Sequence, residues 1–165
     1  MSSIKIREAQ TSDAAAITDI YNYYVRETLI TFDLDEVPTT FFEEKIPKLK
    51  ENYPFIVATI DDIVIGYAYA SQWKQKQAYK HTAESTIYMH PGNTSKGIGL
   101  RLYNALLSSM PLFDLVTAIG GITIPNEASV KLHEKLGFEK VAEFKNVGFK
   151  FDQWINVGYW QKHVV

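Results

Sequence analysis

The segment from Glu84 to Leu100 constrains the fold of this chain more than any other: Glu-Ser-Thr-Ile-Tyr-Met-His-Pro-Gly-Asn-Thr-Ser-Lys-Gly-Ile-Gly-Leu. Its first half alternates like a β-strand and stops at His90-Pro91. A short polar loop carrying glycine follows, and Gly97-Ile98-Gly99 opens an amphipathic helix. A loop of this kind feeding a helix start offers unpaired backbone N–H groups and the positive end of a helix dipole. The guest that suits both is a phosphate or pyrophosphate. Glu84 lies on the same strand, a few residues upstream. An anion cradle and a candidate base on one strand–loop–helix unit point to a phosphate-bearing cosubstrate and a proton abstraction.

The unit sits in a chain of 165 residues, which reads as a single domain, 1–165, long enough for a real core. Hydrophobic residues at 46% and charged ones at 22% exclude disorder. The net charge of −2 gives no electrostatic case for a nucleic-acid partner. Cysteine is absent, which removes disulfides, thiolate metal sites and a cysteine nucleophile together; no metal is expected. The start Met1-Ser-Ser-Ile-Lys-Ile-Arg7 lacks the apolar core of a signal peptide, and no apolar run approaches membrane-spanning length. A soluble, cytoplasmic protein with no membrane partner is the expectation.

Periodicity supplies the remaining elements. Ile4 and Ile6 alternate with charged residues in a short first strand. Ser12-Asp13 caps a helix whose apolar positions Ile17, Ile20, Tyr21, Tyr24 and Val25 follow helical spacing. Thr40 and Glu43 suit a capping box for a second helix, which Pro47 should kink or shorten. The runs 55–60 and 63–71 flank Asp61-Asp62 as a hairpin, and 82–89 is a further strand. Residues 97–110 are helical, with Ile98, Leu102, Leu106 and Tyr103 facing inward. Then come an apolar β-run at 115–122, a helix from Asn126 to Leu136 ended by Gly137, and strands at 138–149 and 154–160. The order β-α-α-β-β-β-α-β-α-β-β indicates an α/β (α+β) domain with one mixed sheet and helices on both faces.

With these residues in place the chain resembles the GNAT N-acetyltransferase superfamily, and within it the phosphinothricin (methionine sulfoximine) N-acetyltransferase subgroup. The resemblance covers essentially the whole chain. It is carried by Thr82-Ala-Glu-Ser-Thr-Ile-Tyr-Met-His-Pro91, Pro125-Asn-Glu-Ala-Ser-Val-Lys-Leu-His-Glu-Lys-Leu-Gly-Phe138 and Val147-Gly-Phe-Lys-Phe-Asp-Gln-Trp154. It implies the GNAT fold, a twisted and mostly antiparallel central sheet that splays after the strand ending at Met89. It also implies acetyl-CoA as cosubstrate, a small-molecule amine as acceptor and a homodimer. The activity implied is acetylation of the α-amino group of phosphinothricin, methionine sulfoximine or methionine sulfone. A different small amine, or a non-catalytic acyl-CoA-binding module, are the alternatives. The superfamily loop usually opens on Arg or Gln. Thr94 and Ser95 stand here instead, a departure that removes a side-chain donor and weakens cosubstrate binding by ~1 kcal/mol, while Lys96 keeps one charge nearby.

The same resemblance implies residue roles. Ile87, Tyr88 and Met89 would supply main-chain contacts to the pantetheine arm. Ser95, Lys96, Gly97, Ile98, Gly99 and Leu100 would hold the pyrophosphate, and Asn126 would bond the arm. Glu84 is the general base if its surroundings raise its pKa; the alternative is a sheet carboxylate paired with Lys80 or His81. His133 stands where many superfamily members carry a tyrosine acid, and helical spacing leaves open whether it points to the site or to solvent. Tyr103 is a further possible donor or a packing residue. The acceptor pocket would draw on Trp73, Lys74, Tyr79, Lys80, Thr82 and Phe32. Phe149-Lys150 would approach it from the same chain or from a partner subunit.

Overall fold

The computed structural model describes residues 3–94 and 96–165. Strand β1 (Ile4–Glu8) passes through a 3₁₀ turn into α1 (Ala14–Glu27). There follow α2 (Thr39–Lys50), β2 (Phe55–Ile60), β3 (Ile63–Gln72), β4 (Thr82–Met89), α3 (Ile98–Ser109), β5 (Thr117–Ile124), α4 (Glu127–Lys135), β6 (Glu139–Lys150) and β7 (Gln153–His163). This is the order read from the sequence. The strands form one sheet, β1-β2-β3-β4-β5-β7-β6. Neighbours pair antiparallel except β4 and β5, which run parallel.

Two apolar cores flank the sheet, so helices cover both faces as expected. On one face α1 and α2 bring Ile17, Ile20, Phe42 and Ile46 against Val57 and Tyr67. On the other, α3 brings Ile98, Leu102, Tyr103 and Leu106 against Ala58, Ala68, Ala83 and Ala118, small side chains that let the helix lie close. The inward positions expected of α1 and α3 are all buried. Asp61 and Asp62 both have positive φ (49° and 63°), the geometry of a tight hairpin turn.

Two local expectations are corrected. Asp13 makes no side-chain cap. Its carboxylate instead accepts a bidentate pair of bonds from Arg7 and one from the Gln10 N–H, each 2.8 Å, so it closes the 3₁₀ turn before α1 and does not cap α1 itself. Helix α2 has Pro38 at its N-cap with no side-chain cap bond, and it continues through Pro47 to Lys50. The carbonyl that Pro47 cannot satisfy belongs to exposed Glu43, where water can serve it. Among the described residues no helix is long and apolar enough to cross a membrane.

Candidate active site

Strands β4 and β5 pair only from Thr82–Thr117 to Glu84–Ile119, although they run on to Met89 and Ile124. Past Glu84 one edge of β4 is therefore unpaired. The His90 N–H donates to the Ile65 carbonyl at 2.8 Å, and the register sets Tyr88 against Tyr67 and Glu84 against Ser71. Main-chain groups alternate along a strand, so those of Glu84, Thr86 and Tyr88 turn toward β3, and those of Ser85, Ile87 and Met89 turn into the gap. This corrects one expectation: Ile87 and Met89 offer main-chain groups, whereas Tyr88 offers only its ring. The Tyr24 hydroxyl donates to the Met89 carbonyl, which leaves the Met89 N–H as the donor directed into the gap.

Side chains alternate too, and they divide the chemistry between the faces of the sheet. Glu84, Thr86 and Tyr88 project toward α1 and α2, where the Tyr88 ring packs on Tyr21, Tyr24 and Tyr67. Glu84 is half-buried and forms no ion pair among the described residues. Burial raises its carboxyl above the ordinary glutamate value, and the Lys45 charge holds that rise back. The expected alternative partners are elsewhere: His81 Nδ1 bonds the Asp114 carbonyl at 2.7 Å, and Lys80 is exposed.

Ser85 projects to the opposite face, into a buried polar line. His133 is 4% exposed, and its Nδ1–H donates to the Ser129 carbonyl at 2.7 Å, an oxygen that can only accept. Burial lowers the pKa of this imidazole, and the Ser129 bond opposes the shift. In the neutral ring Nε2 is then the acceptor, taking the Tyr103 hydroxyl proton at 2.9 Å, and Tyr103 accepts from Ser85 at 2.6 Å. His133 thus faces the site, and Tyr103, fully buried, is its partner. Adjacent glycines in β5 make room for both sides. A Cβ on Gly120 would stand 2.5 Å from His133 Nε2, and one on Gly121 would meet Tyr159 Cε1 at 3.2 Å and Glu84 Oε1 at 3.7 Å.

A cavity of about 260 Å³ runs through the gap, bounded by Thr31, Phe32, Glu84, Gly121, His133 and Tyr159. A second, of about 470 Å³, is bounded by Met89, Thr94, Gly97, Gly99, Leu100 and Lys131. Both touch Ile87, Tyr88, Asn126 and Ser129, so they form one cleft. Gly97 is the N-cap of α3 with φ 72°, a left-handed conformation natural to glycine. The Ile98 side chain is buried in the core, and Lys96 is exposed away from the cleft wall; Ser95 lies outside the described residues. Asn126 caps α4, its Oδ1 accepting from the Ser129 N–H at 3.2 Å.

Of the six residues expected at the acceptor pocket, only Phe32 lines the cavity. Its ring lies over Gly148, where a Cβ would be 2.3 Å from Phe32 Cζ, and buried Lys150 donates to the Thr31 carbonyl of its own chain at 2.9 Å. Trp73 stands one ring away, edge-on to Tyr159 at 5.5 Å. Lys74, Tyr79 and Lys80 stand on the exposed loop before β4 and do not reach the cavity, and Thr82, though on the same face as Glu84, lies where β4 is still paired with β5, before the gap opens. The sequence reading missed Lys45, Tyr159, Lys131, Lys135 and the Gly120-Gly121 pair. A glycine doublet inside a β-run signals close approach, and Lys131 and Lys135 fall one helical turn apart on the face that Asn126 begins.

Residues 6–157 match the acetyltransferase (GNAT) domain family. The chain is 35% identical over 159 residues to a phosphinothricin N-acetyltransferase of Streptomyces viridochromogenes, covering 96% of this chain and 87% of that protein. It is 32% identical over 160 residues to an L-methionine sulfoximine/L-methionine sulfone acetyltransferase of Salmonella typhimurium, covering 94% and 92%. A phosphinothricin acetyltransferase from Sinorhizobium meliloti, solved in complex with acetyl-CoA, superposes with a TM-score of 0.93 at 30% identity, covering 99% of this chain and 89% of that one.

Proposed function

The chain belongs to the GNAT acetyltransferase family, and from that premise we propose that it transfers an acetyl group from acetyl-CoA to the α-amino group of a small amino-acid-like substrate, namely phosphinothricin, methionine sulfoximine or methionine sulfone. The observation that carries this reading is the half-buried Glu84 carboxylate where β4 parts from β5, opening on one cleft with an unpaired strand edge.

The residues fit acetyl-CoA. The Ile87 and Met89 main chain can pair with a pantetheine amide as a strand neighbour would. Gly97 and Gly99 let a diphosphate approach the α3 N-terminus, and Lys131 and Lys135 supply positive charge along the same wall. When bound, acetyl-CoA supplies a thioester carbonyl open to attack by an amine. Glu84 takes the proton that the acceptor's ammonium must lose, directly or through one water. The Met89 N–H faces the place where negative charge develops on the carbonyl oxygen. The proton that Glu84 takes is the one the departing thiolate regains, carried by water in the cleft. His133, on the other wall, stays neutral with its Nδ1–H on the Ser129 carbonyl and Nε2 on Tyr103, and so fixes Ser129, whose hydroxyl lies 3.5 Å from Nδ1, as a hydrogen-bonding group beside the cleft. Both assignments, Glu84 as base and His133 as the group that holds Ser129, are part of the proposal.

The proposal extends to a cytoplasmic homodimer that confers resistance to such antimetabolites. A thiol-release assay with acetyl-CoA and each of the three amino acids tests the activity. Release saturating in the acceptor is expected; no release above background with any of them sinks the substrate assignment.

A further inference from the structure

Behind the Thr86 wall of the gap, on the side of α1 and α2, lies a cation without an assigned role. Lys45, on α2, is half-buried, with its ammonium 4.5 Å from the Tyr69 ring centroid and Nζ donating to the Tyr69 hydroxyl at 3.0 Å. The Phe41 and Phe42 rings lie 5.2 and 5.9 Å from the same nitrogen. Tyr69 stands opposite Thr86 in the β3–β4 register, and Thr86 lines the reacting cavity on the same face as Glu84. Lys45 has no carboxylate within ion-pairing distance among the described residues; Asp33 and Glu84 are near enough for their charges to be felt.

A partly desolvated ammonium with one hydrogen bond and spare N–H groups gains from an anion that completes it. The acceptor assigned above brings one. The α-carboxylate of an amino acid is one carbon from the amine that Glu84 must deprotonate, so it has to come to rest beside Glu84. A phosphinate at the far end of the side chain does not. Lys45, like Lys74 and Lys80, is not in the cavity wall itself, but it is the lysine whose charge reaches Glu84, whereas Lys74 and Lys80 are exposed on the loop before β4.

Resting on the proposed acceptor class, we propose that Lys45 is a specificity-determining residue that binds the acceptor's α-carboxylate and so selects amino acids over simple amines. Tyr69 and Thr86 position it: the tyrosine hydroxyl, bonded by the Thr86 side chain, accepts from the ammonium and ties it to the residue that lines the cavity.

The test compares methionine sulfone with the same molecule lacking its carboxyl group, in the wild type, Lys45→Met and Lys45→Arg. Methionine keeps the packing over Tyr69 without the charge, and unchanged melting temperatures with and without acetyl-CoA verify the fold. For the wild type, kcat/KM should favour the amino acid. In Lys45→Met that preference should collapse by about ten- to a hundredfold, carried by KM for the amino acid, as expected for one charge-assisted contact. Lys45→Arg should restore part of it. An undiminished preference in Lys45→Met, or an equal loss on both acceptors, overturns the assignment. A wild type that acetylates the plain amine and not the amino acid would instead remove the acceptor class proposed above.

Discussion

Glu84 does its proposed work because of where β4 carries it. Ionised, it is the base; burial raises its pKa, so the carboxylate is protonated at a pH where a free glutamate (about 4.3) would already be charged. The rate should therefore fall as pH drops through a value above the free-glutamate range. Glu84→Gln should lower kcat by about two to four orders of magnitude and abolish that acid limb, read from kcat/KM profiles of both proteins. Gly120 offers a second residue-level prediction. A methyl there would lie 2.5 Å from His133 Nε2 and 2.7 Å from Cδ2, so Gly120→Ala must turn the imidazole away from Tyr103. A loss of about 1–3 kcal/mol in urea unfolding is expected, together with reduced turnover. Neither glycine nor histidine declares this contact in the sequence, since only the approach of α4 to β5 brings them together.

At the level of elements, α4 contributes more than its cap. Lys131 and Lys135 border the cleft beside Asn126, and Lys131 is also held by Glu127 at 2.7 Å. Replacing both lysines by alanine should raise the KM for acetyl-CoA several-fold at low salt, with kcat little changed, and the difference should shrink in salt titrations as screening takes over. The elements themselves were legible beforehand. Periodicity located α1, α3 and the strands, because an apolar stripe must find a core whatever its partner. The Glu84–Leu100 unit was legible because strand, glycine loop and helix are contiguous. The acceptor side was not: Lys45 is 39 positions from Glu84 in the chain, and α2 reaches the site only through Tyr69 on β3. The loop lysines drew attention by proximity in sequence, yet their side chains stay in solvent.

The whole molecule leaves one conspicuous surface. Edge strand β6 and its hairpin with β7 expose Val141, Phe144, Val147, Phe149, Phe151 and Trp154, each more than half accessible, Trp154 at 64%. A long apolar edge of this kind invites pairing unless it is covered, and a second copy of the chain is the proposed cover. Trp154→Glu should shift sedimentation velocity from a dimer to a monomer boundary. It should also depress activity, because the same hairpin ends in Lys150, the residue that holds Thr31 at the cavity.

The parting of β4 from β5 leaves the sheet perforated, with Glu84 at one mouth and His133 at the other. Two reactants can then arrive by separate doors and leave by them, neither blocking the other's exit. A single molecule in which coenzyme A is tethered through its sulfur to the amino acid would have to thread the hole, and it should bind far more tightly than either half alone.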